Sequence, residues 1–216
     1  MLLPVFNNGV CVFDFDRCDD FMGKKRVDKA IDKLFNLPEV LNQENVPDAS
    51  GGRALSTAHL HQTHSIPELL NFKNNQLGDW ILRRIFESAT LLGFNETRDI
   101  KRFKYHRTWA NRMEKGCEAR PHRHASDAWP TPHLVAIYYT QVPELSADLI
   151  FIDDDNLELM NGPLLNDYPD CKQHKIESKT GRLVCHDARD LHATNKHLSE
   201  LPRTCLIIEV GFAPLP

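Results

Sequence analysis

The period of the apolar pattern changes at Gly93, and this change constrains the fold more than any other feature of the chain. Before Gly93, apolar residues recur at the spacing of amphipathic helices, first in residues 24–37, where Pro38 ends the helix, and then in a second helix that begins near Pro67. After Gly93 they alternate with a period of two, as in strands. Helices followed by strands predict an α+β chain with a mainly β core and N-terminal supporting helices.

The sequence predicts one strand before the helices and five after them. A short apolar run at 10–15 forms the early strand, and the polar segment 42–65, which contains Gly51 and Gly52, is predicted to be a long loop. The odd-numbered residues of 103–109 are expected to share one face of the first late strand. The late strands are expected over 103–109, 134–142, 149–152, 182–186 and 204–212.

Length and composition are those of one ordinary domain. With 216 residues, 41% of them apolar, the chain can bury a single core. We therefore expect one domain over 1–216, with supporting helices and loops in 1–95 and the β core with its functional site in 96–216. The formal net charge of -4 supplies no basic surface for a phosphate backbone, so nucleic-acid binding is not expected.

The sequence also predicts where the protein works. No stretch approaches eighteen uncharged apolar residues, and the N-terminal residues lack the pattern of a secretory signal. The six cysteines are scattered without a Cys-x-x-Cys motif, which favours reduced thiols. We expect a cytoplasmic protein that does not bind membranes, and an edge strand of its sheet would allow a homodimer.

Three of the eleven histidines have the spacing of a metal site. His122 and His124 are two residues apart, so on an extended backbone their imidazoles point to the same side. Asp127 follows within reach, and His192 lies further along the chain. A His-x-acid pair with a distant histidine is the facial-triad pattern of non-haem Fe(II) oxygenases, which leaves metal positions open for a co-substrate and O₂.

Arg203 begins the last predicted strand. Its parity places it on one face with Cys205, Ile207 and Glu209, opposite the apolar even-numbered residues of 206–212. An arginine in this position offers a fixed cationic fork for a remote carboxylate. Combined with the histidines, it points to 2-oxoglutarate as the co-substrate.

Several runs of the sequence resemble a known family. They are "TWANRMEKGCEARPHRHASDAW", "AIYYTQVPE", "LIFIDDD", "KTGRLVCHDARDLHATN" and "RTCLIIEVGF". In this order they resemble the 2-oxoglutarate/Fe(II) oxygenases of bacteria and phages, whose pattern includes Trp-x-Asn, His-x-His, a Tyr-Tyr strand and a late His and Arg. The resemblance covers about residues 109–212 and implies a double-stranded β-helix, or jelly-roll, fold.

The resemblance implies Fe(II) ligated by His122 and His192. His124 occupies the slot where related oxygenases place a carboxylate, and this leaves two alternatives open. Either His124 completes a three-histidine face, or Asp127 reaches the metal across a longer loop. We favour His124, because the i, i+2 geometry needs no special loop conformation.

Further site residues follow from the same resemblance. Tyr139, the second tyrosine of the Tyr-Tyr strand, corresponds to the residue that meets the distal carboxylate of the co-substrate in prolyl-hydroxylase-like oxygenases. Together with Arg203 and Asn111 it is a candidate for binding 2-oxoglutarate. Three aromatic residues are candidates to line the substrate cavity: Tyr105, Trp109 and Trp129.

We therefore expect an Fe(II)/2-oxoglutarate-dependent dioxygenase that hydroxylates an unactivated C–H bond of a small molecule or a peptidyl residue and releases succinate and CO₂. Two other classes stay open. A three-histidine cupin-type dioxygenase would not need Arg203, and a non-catalytic jelly-roll binding module would need neither the arginine nor the metal. The sequence identifies neither the substrate nor the outcome among hydroxylation, desaturation and halogenation.

The other histidines have no assigned chemistry. The cluster of His59, His61 and His64 lacks an acidic partner, so it is interpreted as a loop or substrate-rim element. Three residues before His192 are candidates to orient its imidazole: Asp187, Arg189 and Asp190. No partner is predicted for the remaining five histidines, which are His106, His133, His174, His186 and His197.

Overall fold

The computed structural model describes residues 1–6, 8–15, 22–44, 46, 48–60, 76–125, 131–153 and 172–215. Its helices are α1 (Met22–Phe35), α2 (Pro38–Leu41) and α3 (Gln76–Leu91). Its strands are β1 (Leu2–Val5), β2 (Asn8–Asp14), β3 (Ala49–Ser50), β4 (Ala54–Ser56), β5 (Arg98–Met113), β6 (Glu118–Ala119), β7 (Leu134–Gln141), β8 (Leu149–Ile152), β9 (Gln173–Ile176), β10 (Arg182–Asp187), β11 (His192–Thr194) and β12 (Arg203–Pro214).

Two antiparallel sheets form the core. The major sheet has the strand order β1-β2-β10-β7-β12-β5-β4, and the minor sheet has the order β11-β8-β9. Apolar side chains of both sheets meet in one buried cluster, in which Trp109, Ile137 and Ile207 of the major sheet face Leu149 and Phe151 of the minor sheet. The two layers are those of a double-stranded β-helix, so the predicted fold class is confirmed.

The helices cover the outer face of the major sheet. Helix α1 contributes Val27 and Ile31 to a second cluster, and α3 contributes Ile81 and Ile85. The sheet side of this cluster includes the even-numbered apolar residues of β12, among them Leu206. The major sheet is thus buried on both faces, by helices on one side and by the minor sheet on the other.

Strand β12 shows the alternation that its sequence predicts. Arg203, Cys205, Ile207 and Glu209 face the minor sheet and the cavity between the layers. The even-numbered apolar residues face the helices. Because β12 is paired with β5 on one side and β7 on the other, every residue from Arg203 to Ala213 is buried.

One predicted face is wrong. Phe103 was expected on the same face as Arg107 and Trp109, but it packs on the helix side, where its ring stacks with Phe86 at 5.5 Å. The register explains the difference, since Phe212 pairs with Phe103 whereas the neighbouring Gly211 pairs with Tyr105. The extra residue in β5 forms a bulge, which moves the following side chains to the opposite face.

The predicted loop at 42–65 contains ordered structure in its described part. Strand β4 pairs with β5 at the sheet edge, and a 3₁₀ turn follows at Ala58–Leu60. Strands of two or three residues are too short to show periodicity. The glycines of this segment are required by a close approach, because a Cβ atom on Gly52 would lie 2.5 Å from the backbone nitrogen of Cys117.

The helix boundaries differ in detail from the prediction. Helix α1 ends at Phe35, before Pro38. Pro38 itself is the first residue of the short helix α2. Helix α3 ends at Leu91 before Gly93, which adopts a left-handed φ of 79°. The predicted start near Pro67 lies outside the described residues. Within the described ranges, no helix combines the length and apolar character needed to cross a membrane.

Replacing Ile85 with Ala is expected to lower the free energy of unfolding by about 2–5 kcal/mol, because it opens a cavity between α3 and the sheet. Ile85 is fully buried, whereas Leu91 on the same helix is 43% exposed. Leu91→Ala is therefore the matched control, with a loss below about 1 kcal/mol. Equilibrium urea unfolding measures both variants, and equal losses would contradict packing of α3 through the Ile85 face.

Candidate metal centre

The structure brings His122, His124 and His192 together. Their candidate ligand nitrogens all lie within 4.8 Å of one another. His122 and His192 are direct partners in an antiparallel bridge, with N–H···O distances of 2.9 and 3.1 Å in the two directions. The amide of His124 donates to the carbonyl of Ala188 at 3.0 Å, so the backbone holds both residues of the His-x-His pair.

Each of the three imidazoles uses its Nδ1 for a hydrogen bond to an oxygen. His122 Nδ1 lies 2.7 Å from the carbonyl of Arg120, and His192 Nδ1 lies 3.0 Å from that of Asp190. His124 Nδ1 lies 2.7 Å from Oε1 of Glu209. Carbonyl and carboxylate oxygens accept hydrogen bonds, so Nδ1 carries the proton and Nε2 keeps its lone pair for a metal. These donors therefore fit a divalent transition metal.

His124 differs from the other two ligand candidates in its surroundings. Its partner Glu209 is 2% exposed and also accepts from Arg107, with Nε and Nη2 donating at 3.0 and 3.1 Å. The Arg107 guanidinium lies 4.7 Å from the ring centre of Trp109, and the Trp109 and His124 ring centres are 5.8 Å apart. Trp109 thus lines the cavity and also lies beside the His124 ring.

The metal-free site favours the neutral forms of His124 and His192. Burial lowers the pKa of His124 to about 4, although the nearby Glu209 carboxylate works in the opposite direction. Burial, with His122, His186 and His124 nearby, holds the pKa of His192 well below its usual value. For Glu209, burial opposes ionisation, but the hydrogen bonds from His124 and Arg107 outweigh it, and the pKa of the carboxyl is lowered. The site is therefore ready to bind metal at neutral pH.

A fourth histidine lies behind the site. The ring of His186 is fully buried, 4.7 Å from that of His192 and 5.1 Å from that of Phe151. Its Nδ1 donates to the Asp187 carbonyl at 2.8 Å, and Asp190 accepts from Asn8 at 2.5 Å. The segment before His192 therefore orients its imidazole through the Asp190 carbonyl, while Asp187 forms an ion pair with Arg189 at 2.7 Å.

The three histidines and Arg203 line one cavity of about 330 Å³. Arg203 is 3% exposed, and its guanidinium lies 4.8 Å from the ring centre of Tyr139. Its Nη atoms contact the Met113 sulfur and, at 3.4 Å, the Ser178 hydroxyl, and the guanidinium also interacts with the Tyr139 phenol, whereas its Nε has no partner in the described structure. Among the described residues no carboxylate forms an ion pair with it. A buried, permanently charged and incompletely paired arginine fits a carboxylate-bearing ligand.

The other predicted co-substrate residues lie near Arg203. Asn111 lines the same cavity, and its buried Oδ1 has no hydrogen-bond partner in the part of the chain described here. Tyr139 is fully buried beneath the Arg203 guanidinium, and burial raises the pKa of its phenol, so it stays neutral. Tyr139 therefore supports Arg203 from below.

Three predicted site residues are not placed. Asp127 and Trp129 lie outside the described residues, and so does the side chain of Tyr105. In the histidine cluster of the early loop, only His59 is described, with its Nδ1 2.8 Å from Nε2 of Gln43. His61 and His64 lie outside the described residues.

Sequence reasoning missed the contacts that connect strands. The sequence predicts the correct face for Glu209 but no role for it. It also predicts no contact between Glu209 and Arg107. The two residues are direct partners in the β5–β12 register. The alternation of the two predicted strands indicates that Arg107 and Glu209, which carry opposite charges, lie on the same face of the sheet. It does not indicate the register that makes them direct neighbours.

Comparison with known proteins agrees with this geometry. Residues 107–209 match the family described as "Putative 2OG-Fe(II) oxygenase", a segment that spans nearly all of the β core and just under half of the chain. No curated protein sequence matches the chain. The matched segment contains all three histidines, Arg203 and Glu209.

Several solved structures of oxygenases have the same fold as this chain. A prolyl-4-hydroxylase from Pseudomonas putida is 11% identical, with a TM-score of 0.57 and coverage of 94% of this chain and 92% of that one. The non-haem α-ketoglutarate-dependent carbocyclase SnoK of nogalamycin biosynthesis is 15% identical, with a TM-score of 0.62 and coverage of 94% and 79%. A Trichoplax adhaerens prolyl hydroxylase, in complex with a peptide fragment of hypoxia-inducible factor, is 12% identical, with a TM-score of 0.54 and coverage of 94% and 84%.

The fold and the site together define a class of enzyme. A jelly roll with three convergent histidines and a buried arginine in one cavity is the arrangement expected of a non-haem iron oxygenase. Residues 107–209 of the β core are similar to the 2-oxoglutarate/Fe(II) oxygenase family. The three histidines and Arg203 lie in this matched segment and line one cavity, so the site fits Fe(II) together with a carboxylate-bearing co-substrate.

In the metal-free protein, stability is expected to fall as the pH falls from 6.5 toward 4. The folded-state pKa of His124, about 4, is below the unfolded value of 6.5, so the unfolded chain takes up the proton first. For a shift of this size, the loss between pH 7.5 and pH 5 is about 2 kcal/mol from His124 alone. Urea unfolding in the presence of a chelator measures it. His124→Gln is expected to show a smaller pH dependence, and an unchanged one would contradict the assignment to His124.

Proposed function

We propose that His122, His124 and His192 hold Fe(II) and that the enzyme hydroxylates a C–H bond of a small-molecule or peptidyl substrate. The observation that carries the proposal is the shared cavity, in which three Nε2 donors and one buried, incompletely paired arginine face the same space. We propose His124 as the third ligand because its candidate ligand nitrogen lies within 4.8 Å of those of His122 and His192. Asp127 remains the alternative.

We propose further that Arg203 and Asn111 bind the far carboxylate of 2-oxoglutarate. Arg203 presents fork-shaped donors with a permanent positive charge, and such a fork matches a carboxylate in two parallel hydrogen bonds. The Tyr139 ring beneath the guanidinium and the fully paired strand around it keep the fork in place. A lysine would not reproduce this geometry.

Bound Fe(II) with 2-oxoglutarate and O₂ supplies the oxidising chemistry, in which 2-oxoglutarate becomes succinate and CO₂ and the second oxygen atom enters the substrate as a hydroxyl group. The chain's own residues provide position and a dry environment. The histidine Nε2 atoms converge because their Nδ1 atoms are held. The apolar side chains of Ile137, Leu149 and Ile207 line the cavity and limit the access of water.

The buried arginine distinguishes this proposal from the alternatives. A three-histidine dioxygenase that does not use 2-oxoglutarate would have no need for a charged group at this depth, and a binding module would have no need for three converging imidazoles. Burying an arginine without a charged partner is costly unless a ligand supplies one. The 2-oxoglutarate proposal accounts for both features.

The substrate class is left broad. The similar structures include a carbocyclase of nogalamycin biosynthesis and a prolyl hydroxylase in complex with a peptide fragment, which supports either kind of substrate. The cytoplasmic location, the homodimer and the absence of nucleic-acid and membrane binding stay predictions from the sequence. The four described cysteines, Cys11, Cys117, Cys185 and Cys205, are buried free thiols.

Metal binding tests the ligand set. His192→Ala is expected to lower Fe(II) affinity by at least about 100-fold, beyond the range of outer-shell effects. His124→Ala is expected to cost more affinity than Asp127→Ala, because the ligand nitrogen of His124 lies within 4.8 Å of those of His122 and His192. Anaerobic titration calorimetry measures these affinities. His174→Ala, in β9 and not among the residues that line the cavity, is the matched control. A larger loss for Asp127→Ala than for His124→Ala would reverse the choice of third ligand.

Succinate formation tests the reaction. Purified protein with Fe(II), ascorbate and 2-oxoglutarate is expected to form succinate even without its own substrate, and Arg203→Ala is expected to raise the KM for 2-oxoglutarate by roughly tenfold or more, as for a lost charge-assisted hydrogen bond. Arg53→Ala, which removes an exposed arginine paired with Glu114, is the control. If iron binds but succinate never exceeds the metal-free background, the proposed function is wrong.

A further inference from the structure

Within the described residues, His124 is the one histidine of the three whose Nδ1 has a charged hydrogen-bond partner. His122 and His192 each donate Nδ1–H to a backbone carbonyl, whereas His124 donates to the carboxylate of Glu209. A carboxylate partner makes an imidazole a stronger metal donor and determines which ring nitrogen carries the proton. The difference falls on the one position where related oxygenases use a carboxylate as the ligand itself.

Glu209 is held so that it cannot turn away. Its Oε1 accepts from His124 at 2.7 Å and from Arg107 Nη2 at 3.1 Å, and its Oε2 accepts from Arg107 Nε at 3.0 Å. Arg107 is fixed in turn by the facing Trp109 ring, and it is the register partner of Glu209 across the two strands. With 2% of its surface exposed, Glu209 has no access to bulk water.

We propose that Glu209 is a positioning residue for His124. Its carboxylate lies next to His124 and supplies the negative charge that a set of three histidine ligands lacks. It keeps His124 in the form with the proton on Nδ1 and directs the Nε2 lone pair at the metal. A neutral ligand set thereby acquires the overall charge of two histidines and one carboxylate. This inference rests on the proposed function, in which His124 is a ligand.

The variant Glu209→Gln keeps the shape of the side chain but removes its negative charge and is expected to change the tautomer of His124. Arg107 has only donors, and its Nε and Nη2 lie 3.0 and 2.9 Å from Oε2, so both of its N–H groups are expected to bind an amide oxygen at the Oε2 position. The amide nitrogen will then face His124 and donate to Nδ1, which must become an acceptor. The proton of His124 moves to Nε2, and the lone pair needed by the metal is lost.

Two measurements test the proposal without turnover. Long-range ¹H–¹⁵N NMR of the metal-free protein at pH 7.5 reports the protonated nitrogen of each histidine, and His124→Gln assigns the His124 signals. The wild type is expected to carry the His124 proton on Nδ1, and Glu209→Gln is expected to carry it on Nε2. In parallel, Glu209→Gln is expected to lower Fe(II) affinity by roughly 10- to 100-fold, the range for outer-shell partners.

Glu118→Gln is the matched control, because Glu118 is also buried, at 7% exposure, but does not line the cavity. It is expected to leave the tautomer unchanged and the affinity within about twofold of the wild type, below any outer-shell effect. A proton on Nε2 of His124 in the wild-type protein would overturn the proposal even if Glu209→Gln failed to fold. Unchanged tautomer and affinity in a folded Glu209→Gln protein would overturn it as well.

The outcome is separable from that of the proposed function. If wild-type protein forms succinate while Glu209→Gln keeps its tautomer and its iron affinity, only the role of Glu209 is wrong. If the tautomer and the affinity change as expected but the wild type forms no succinate, the positioning role stands and the 2-oxoglutarate reaction is wrong.

Discussion

The pairing of β12 between β5 and β7 is the constraint on which the rest of the structure depends. This strand has a paired strand on each side, and both faces of the sheet around it are covered. The side chains between these neighbours therefore cannot reach solvent. Each residue from Arg203 to Ala213 must therefore point either at the helices or at the cavity. The even-numbered apolar residues take the helix side, and the two charged residues, Arg203 and Glu209, lie on the cavity side with Cys205 and Ile207, at separate positions along the strand.

These two charged residues have different hydrogen-bond partners, and the difference gives them different roles in the site. Glu209 is saturated by Arg107 and His124, so it acts on the metal-binding end of the cavity through another side chain. Arg203 makes only weak contacts with its neighbours, and so it is available to a ligand. Both groups were desolvated during folding, which means that no reorganisation is needed when a charged ligand arrives.

The high histidine content has mainly a structural explanation. His197 is fully buried, accepts from the Ala147 amide at 3.3 Å and donates to the Leu201 carbonyl at 2.8 Å. His133 accepts from the Phe212 amide at 3.0 Å, and His186 fills the space behind His192. A neutral imidazole can accept at one nitrogen and donate at the other, which suits buried positions between backbone groups. The three metal-site histidines use the same property, with the backbone or Glu209 on one nitrogen and the metal position on the other.

The sequence by itself determined the parts of this protein that depend on local periodicity and spacing. The change of period at Gly93 separated supporting helices from the β core, the alternation in β12 placed Arg203 and Glu209 on one face, and the two-residue spacing put His122 and His124 on one side of the chain. Only the tertiary structure decided which residues meet across strands. The pairing of Glu209 with Arg107, the bridge between His122 and His192 and the bulge that turns Phe103 outward all depend on register, which side-chain alternation alone leaves undetermined because it repeats every two residues.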